Sequence, residues 1–123
     1  NITVLLFDAD QVWLQDPMPY VDTLLMDPAV DVVGITTSQD EVGGNFVYMR
    51  PSQRVKDMYK QLVEMFEEEY TKKGIKDLGP DDRVVIQNDQ TLLSSLIHRN
   101  EKWKAKFGCV FRSLDPDHFP DGR

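Results

Sequence analysis

Residues 52–73 carry apolar side chains at Val55, Met58, Tyr59, Leu62, Met65, Phe66 and Tyr70. That spacing of three and four residues is one face of an α-helix. A helix with one apolar face must bury it against another layer. The chain offers short apolar runs for that layer at residues 2–7, 30–35 and 46–49. Such runs suit strands buried on both faces, as in a parallel sheet. Strands alternating with helices define an α/β class, and the expected architecture is a mostly parallel sheet flanked by helices. Lys72-Lys73-Gly74 stops the long helix: cations suit its negative C-terminal end, and glycine tolerates a left-handed cap.

Shorter signals fill in the order of elements. After Asp16-Pro17, the residues Met18, Tyr20, Val21, Leu24 and Leu25 predict a short helix that Asp27-Pro28 ends. Thr36, Thr37 and Ser38 close the second strand, Gly43-Gly44 precede the third, and Pro51 terminates it. A polar loop is expected over 74–82 and a short strand at Val84-Val85-Ile86. Asn88 or Asp89 caps a further helix whose buried stripe is Leu92, Leu93, Leu96 and Ile97. A last strand is expected over 107–111, followed by a turn-rich tail. The 123 residues suit one domain, 1–123, or part of a larger one. The run at 2–7 reads as a strand cut into at its start, so the expectation is a partial domain, incomplete at both ends. The single Cys109 forms no disulfide within the chain and reads as a small buried hydrophobe. Asn1-Ile2-Thr3 matches a glycosylation sequon but opens a strand, so its use is not expected.

Charge narrows the function. Fourteen basic residues against 21 acidic ones leave a net charge of −7. That balance argues against nucleic acid or an anionic membrane surface as the main partner. No apolar run approaches the ~20 residues of a bilayer span, so no membrane span is expected within this chain. A phosphate ligand would need positive charge from something other than the protein's own side chains. Asp8-Ala9-Asp10, directly behind an apolar strand, supplies an answer. Ligands of open α/β sheets sit at the carboxyl ends of strands. Two carboxylates one residue apart can share one hard cation, Mn²⁺ or Mg²⁺, which completes its shell with phosphate oxygens.

The spacing admits two chemistries. In a phosphohydrolase of the haloacid-dehalogenase-like superfamily, Asp8 is the nucleophile and Asp10 the acid/base. Thr36, Thr37 or Ser38 and the pair Asp81-Asp82 are then the supporting groups. In a metal-dependent glycosyltransferase, the acids hold a cation that stabilises the leaving diphosphate of a sugar nucleotide. A non-catalytic glycan-binding domain is a third possibility.

The stretch Leu5-Leu6-Phe7-Asp8-Ala9-Asp10-Gln11-Val12-Trp13-Leu14-Gln15-Asp16-Pro17 resembles the nucleotide-diphospho-sugar transferase family of GT-A-fold glycosyltransferases. Three later stretches agree in order: Gly44-Asn45-Phe46-Val47-Tyr48-Met49-Arg50-Pro51, Asn88-Asp89-Gln90 and Phe119-Pro120-Asp121-Gly122. The resemblance implies a GT-A-like sheet in which Asp8 and Asp10 bind the divalent cation, usually Mn²⁺, and the diphosphate, with Asp10 the direct ligand and the ribose or a metal-bound water as the alternative contact of Asp8. It implies that Gly44 and Asn45 line the donor-sugar pocket and that Asp89 and Gln90 form the catalytic contact to donor or acceptor sugar. A nucleoside-diphosphate-sugar donor, a glycan or glycoprotein acceptor, retention of anomeric configuration, and a Golgi-lumen setting behind a single-pass anchor follow from the same resemblance. It departs from the family in two places. The strand–helix region that precedes D-x-D there is absent here, and His118 lies before the Phe-Pro-x-Gly turn where the family has a metal-binding His after it.

Several residues have plainer readings. Trp13 reads as core, and Trp103, among Lys102, Lys104 and Lys106, as cover for the sheet edge. Arg50 reads as a strand-end salt bridge, with a phosphate contact as the alternative. Glu67-Glu68-Glu69 reads as a solvated face, and His98 and His118 as structural or exposed.

Overall fold

The computed structural model describes residues 2–7, 15–37, 40–72 and 89–119. Elements run β1 (Val4–Phe7), α1 (Met18–Leu25), β2 (Val32–Thr36), β3 (Val42–Met49), α2 (Gln53–Lys72), α3 (Asp89–Ser94), a π-helical turn (Ser95–Arg99), α4 (Glu101–Phe107) and β4 (Phe111–Ser113). The α/β class is as expected. The expected strand at 84–86 and loop at 74–82 lie outside the described residues, as do Trp13 and the tail beyond Phe119.

The described strands form one sheet in the order β1-β3-β2-β4. β3 pairs antiparallel with both β1 and β2, and β2 pairs parallel with β4. Thus β1, β2 and β4 share a direction and β3 runs against them. The expected mostly parallel sheet is corrected here to a mixed one. The cause is the connection between β2 and β3, residues 37–41, which is far too short for the crossover of a dozen or more residues that parallel neighbours need.

Both sheet faces are covered, because side chains alternate along a strand. Val32, Val42, Val47 and Met49 face a core completed by Val55, Met58 and Leu62 of α2, by Leu92, Leu93, Leu96 and Ile97, and by Phe107. Val33, Ile35 and Phe46 face the other way, against Val21 of α1, Leu114 and Phe119. The α2 stripe is therefore narrower than its apolar pattern: Tyr59 and Tyr70 are exposed. β1 also differs from its expected burial on both faces. Among the described strands it stands at the sheet edge, and Val4, Leu5 and Leu6 are 39%, 37% and 38% exposed.

Local chemistry sets the ends of the helices. Asp16 Oδ1 accepts from the Met18 N–H at 2.9 Å, which starts α1. Arg50 Nη2 donates to the carbonyls of Leu25 and Asp27 and closes α1 at its far end. Arg50 is therefore a helix cap, and among the described residues it makes no salt bridge of the kind expected at this strand end. Asn100 caps α4 through its side chain, with 3.0 Å to Lys102 N. Gly108, at φ 61°, ends α4 in the left-handed region. Phe107 is therefore the last helical residue, and the final strand starts at Phe111 and not at the expected 107.

Candidate functional site

In the register of the sheet Phe7, the last residue of β1, sits opposite Phe46, so β1 finishes toward the end of the sheet where β3 begins. Asp8 and Asp10 themselves lie outside the described residues. Among the described residues, no group of three or more His, Cys, Asp or Glu side chains could hold a metal ion. Gly44 and Asn45 belong to the first half of β3, at that same end. Asn45 is half-buried, and its Oδ1 lies 2.5 Å from where a Cβ on residue 43 would stand. Only glycine at position 43 leaves room for the Asn45 amide in this placement.

The third predicted segment arrives from the helical layer. Asp89 opens α3, and Gln90 follows in its first turn. Ser94 ties this helix to the start of β3: its Oγ accepts from the Val42 N–H at 2.8 Å and donates to the Gln90 carbonyl at 2.6 Å. Gly44, Asn45 and Gln90, chosen from separate stretches of sequence, thus converge on one end of the sheet.

A residue that the sequence reading passed over organises this end. Glu41 directly precedes β3 and is 8% exposed. Gln90 Nε2 donates to its Oε2 at 2.9 Å. Its Oε1 accepts from Arg99 Nη1 at 2.6 Å and from Thr91 Oγ1 at 3.3 Å. The Gln90 hydrogen bond, helped by Arg99 and Thr91, holds the Glu41 carboxyl below its ordinary value against the opposing effect of burial. The backbone is pinned as well. The Thr37 N–H donates to the Glu41 carbonyl at 2.8 Å, and the Glu41 N–H donates to Thr37 Oγ1 at 3.2 Å. Asp40, at φ 58°, takes the left-handed conformation that Asp tolerates better than most residues.

The π-helical turn brings the cationic side of the cluster into place. Its wider winding ends in an Asn100 N–H to Ser95 carbonyl bond of 3.2 Å, five residues back. His98 and Arg99 both leave this turn toward the β2–β3 connection. His98 Nε2 donates to the Asp40 carbonyl at 2.8 Å, so that nitrogen carries the proton. His98 also stacks on Phe111, with ring centroids 5.9 Å apart. The structural reading of His98 holds. His118 is an exposed turn residue paired with Asp115 at 2.7 Å.

The other sequence candidates fall elsewhere. Thr36 Oγ1 donates to Ser113 Oγ at 2.8 Å, a bond between strands. Ser38, Asp81 and Asp82 lie outside the described residues. Trp103 is half-buried against the core and stacks on Phe107 at 5.9 Å, with Lys102 and Lys106 over its ring. Cys109 is buried, and burial with the nearby Asp31 charge pushes its thiol up to about 11, where it is a poor nucleophile.

The nucleotide-diphospho-sugar transferase family model matches residues 1–122 of the chain. No curated protein and no solved structure matches.

Proposed function

The chain belongs to the nucleotide-diphospho-sugar transferase family, and we propose that it moves a sugar from a nucleoside-diphosphate donor to a glycan or protein acceptor with Mn²⁺ or Mg²⁺ as cofactor. The phosphohydrolase alternative gives way to this membership. The observation that carries the reading is that Gly44 and Asn45 lie in the first half of β3, at the sheet end where β1 finishes and where Gln90 bonds Glu41.

The donor set fits a hard divalent cation, because Asp8 and Asp10 offer carboxylate oxygens one residue apart. These two residues would hold the ion against the diphosphate of the donor. When bound, the ion supplies Lewis-acid stabilisation of the charge on the leaving diphosphate. The remaining roles belong to the chain's own groups. Asn45, kept over Gly43, and Gly44 line the donor-sugar side. Asp89 and Gln90 meet a sugar of donor or acceptor, with Gln90 held by Glu41. An acidic protein can in this way take an anionic ligand without a basic patch. Family membership is also the ground for proposing a Golgi-lumen setting behind a single-pass anchor. Among the described residues no helix is long and apolar enough to cross a membrane.

Asp10→Asn in the full-length protein tests the reading. Turnover dependent on Mn²⁺ should be lost while the circular dichroism spectrum and Tm stay as in the wild type. Full activity in that variant would remove the metal-held diphosphate from the proposal. Calorimetric titration of uridine diphosphate with and without Mn²⁺ gives a second measure, with binding expected only when the ion is present.

A further inference from the structure

We infer that Glu41 is a positioning residue for sugar transfer, acting by fixing which way round the Gln90 amide is held. This rests on the transferase reading above, in which Gln90 meets a sugar. A carboxylate only accepts hydrogen bonds, so only the NH₂ end of the Gln90 amide can face it. The 2.9 Å bond from Gln90 Nε2 to Glu41 Oε2 therefore sets the polarity of the amide, with nitrogen toward Glu41 and oxygen turned away. A neutral Gln at position 41 would give its carbonyl to Arg99, a pure donor, and leave its NH₂ facing Gln90, which reverses that polarity.

The two carboxylate oxygens divide the work. Oε1 takes Arg99 at 2.6 Å and Thr91 at 3.3 Å, which anchors the side chain. Oε2 is given to Gln90. An ion pair alone would tie the π-helical turn to the start of β3, and the second oxygen would not be needed for that. The carboxylate has little freedom to turn away: it is buried, and the hydrogen bonds to Thr37 fix its backbone. Among the described residues its side-chain partners all come from residues 90–99, the segment that carries Gln90 itself. Preorganised polar groups of this kind cost no reordering when substrate arrives.

The experiment uses the full-length protein with Mn²⁺ and a panel of uridine- and guanosine-diphosphate sugars. It reads nucleoside diphosphate release and measures Tm alongside. Glu41→Gln keeps the side-chain volume but must turn its carbonyl to Arg99 and its NH₂ to Gln90, which inverts the Gln90 amide. We expect kcat/KM to fall about tenfold or more. Adding Gln90→Glu to that variant puts an acceptor back on the far side and should recover most of the loss. Tm should fall alike in the single and double variants, since both lack the Glu41–Arg99 charge pair. A purely structural Glu41 predicts the reverse, with kcat/KM following Tm and no recovery, and that result overturns the inference. Gln90→Ala keeps the two claims apart. If it turns over like wild type, the sugar contact of Gln90 is wrong and the inference falls with it. If it is impaired while Glu41→Gln is not, the inference alone fails. A check that needs no variant follows the Gln90 side-chain amide protons by NMR as pH is lowered. They should shift as Glu41 titrates, and a flat response overturns the contact.

Discussion

Two buried carboxylates stand at opposite ends of the sheet, and they are wired differently. Asp31 immediately precedes β2 and Glu41 immediately precedes β3, and because those strands are antiparallel the two acids lie at opposite ends. Each pairs with a half-exposed arginine from a helical segment, Arg54 at 3.1 Å and Arg99 at 2.6 Å. The likeness stops there. Asp31 Oδ2 accepts from the Val110 backbone N–H at 2.9 Å, and its Oδ1 accepts from Ser52 Oγ at 2.8 Å. Ser52 in turn accepts from the Val55 N–H at 3.2 Å and so caps α2. The Asp31 backbone joins in, receiving the Arg50 N–H at 2.8 Å and donating to the Val110 carbonyl at 2.9 Å. One acid thus closes β2, the end of β3, the approach to β4 and the start of α2 into a single knot. Glu41 spends its side chain on other side chains, one of them a candidate contact to sugar. Carboxylate plus arginine is a shared device; whether the remaining partners are backbone or functional side chains tells the latch from the positioning group.

The comparison breaks first at Asp31, where the largest loss of stability is expected. Asp31→Ala strands the Val110 N–H and releases Ser52 and Arg54, which should cost about 3 kcal/mol. Urea denaturation measures it as a lower midpoint at unchanged slope. Cys109, next to Val110 and buried in the wild type, is a local reporter. Its alkylation in the native state should be slow, and the variant should speed it. A loss under 1 kcal/mol with no gain in thiol reactivity would show that the knot is held elsewhere.

Ser94→Ala should come next. The hydroxyl is fully buried and joins the Val42 N–H to the Gln90 carbonyl. Its removal leaves a buried backbone donor unsatisfied, which costs about 1–3 kcal/mol. Because it loosens α3 against β3, this variant should also reduce nucleoside diphosphate release, whereas Asp31→Ala at temperatures where it stays folded should not. Equal effects of the two on kcat would erase the distinction between the two ends.

Most of the fold was legible because its signals are local. The α1 boundary was set by Asp16-Pro17 and Asp27-Pro28, and α2 by its apolar period, while its expected stop at Lys73-Gly74 lies outside the described residues. β2 was visible as an apolar run and is buried through Ile35. The start of β3 was missed because Val42-Gly43-Gly44-Asn45 has no apolar alternation, and pairing with β2 is what makes it strand. The reversed direction of β3 could have been read from the short connection before it. The π-helical turn was hidden because Leu96 and Ile97 continue the helical spacing of Leu92 and Leu93, and α4, which Asn100 caps beyond that stripe, was not foreseen. For the site, Gly44, Asn45 and Gln90 came from motif resemblance, and the structure places them at one sheet end. Glu41 carried no such mark. Its partners lie 49, 50 and 58 residues away, and no local pattern announces a pairing at that range.

The smallest expected effect is the pH dependence that the Glu41 carboxyl contributes at this end of the sheet. Its carboxyl is held below its ordinary value of 4.5 chiefly by the Gln90 hydrogen bond. A carboxyl with a lowered folded pKa stabilises the native state fully above its unfolded pKa and loses that contribution as pH falls through the folded one. The gap in unfolding stability between wild type and Glu41→Gln should therefore be constant above about pH 6 and close as pH drops below about 4. Asp115, lowered by the Asp117 N–H and by His118, titrates in the same acid window. It is present in both proteins and cancels in the difference. Parallel stability curves down to the acid limit would mean that the Glu41 charge contributes nothing to the fold. The Arg99 contact would then be a neighbour of the Gln90 bond and not its anchor.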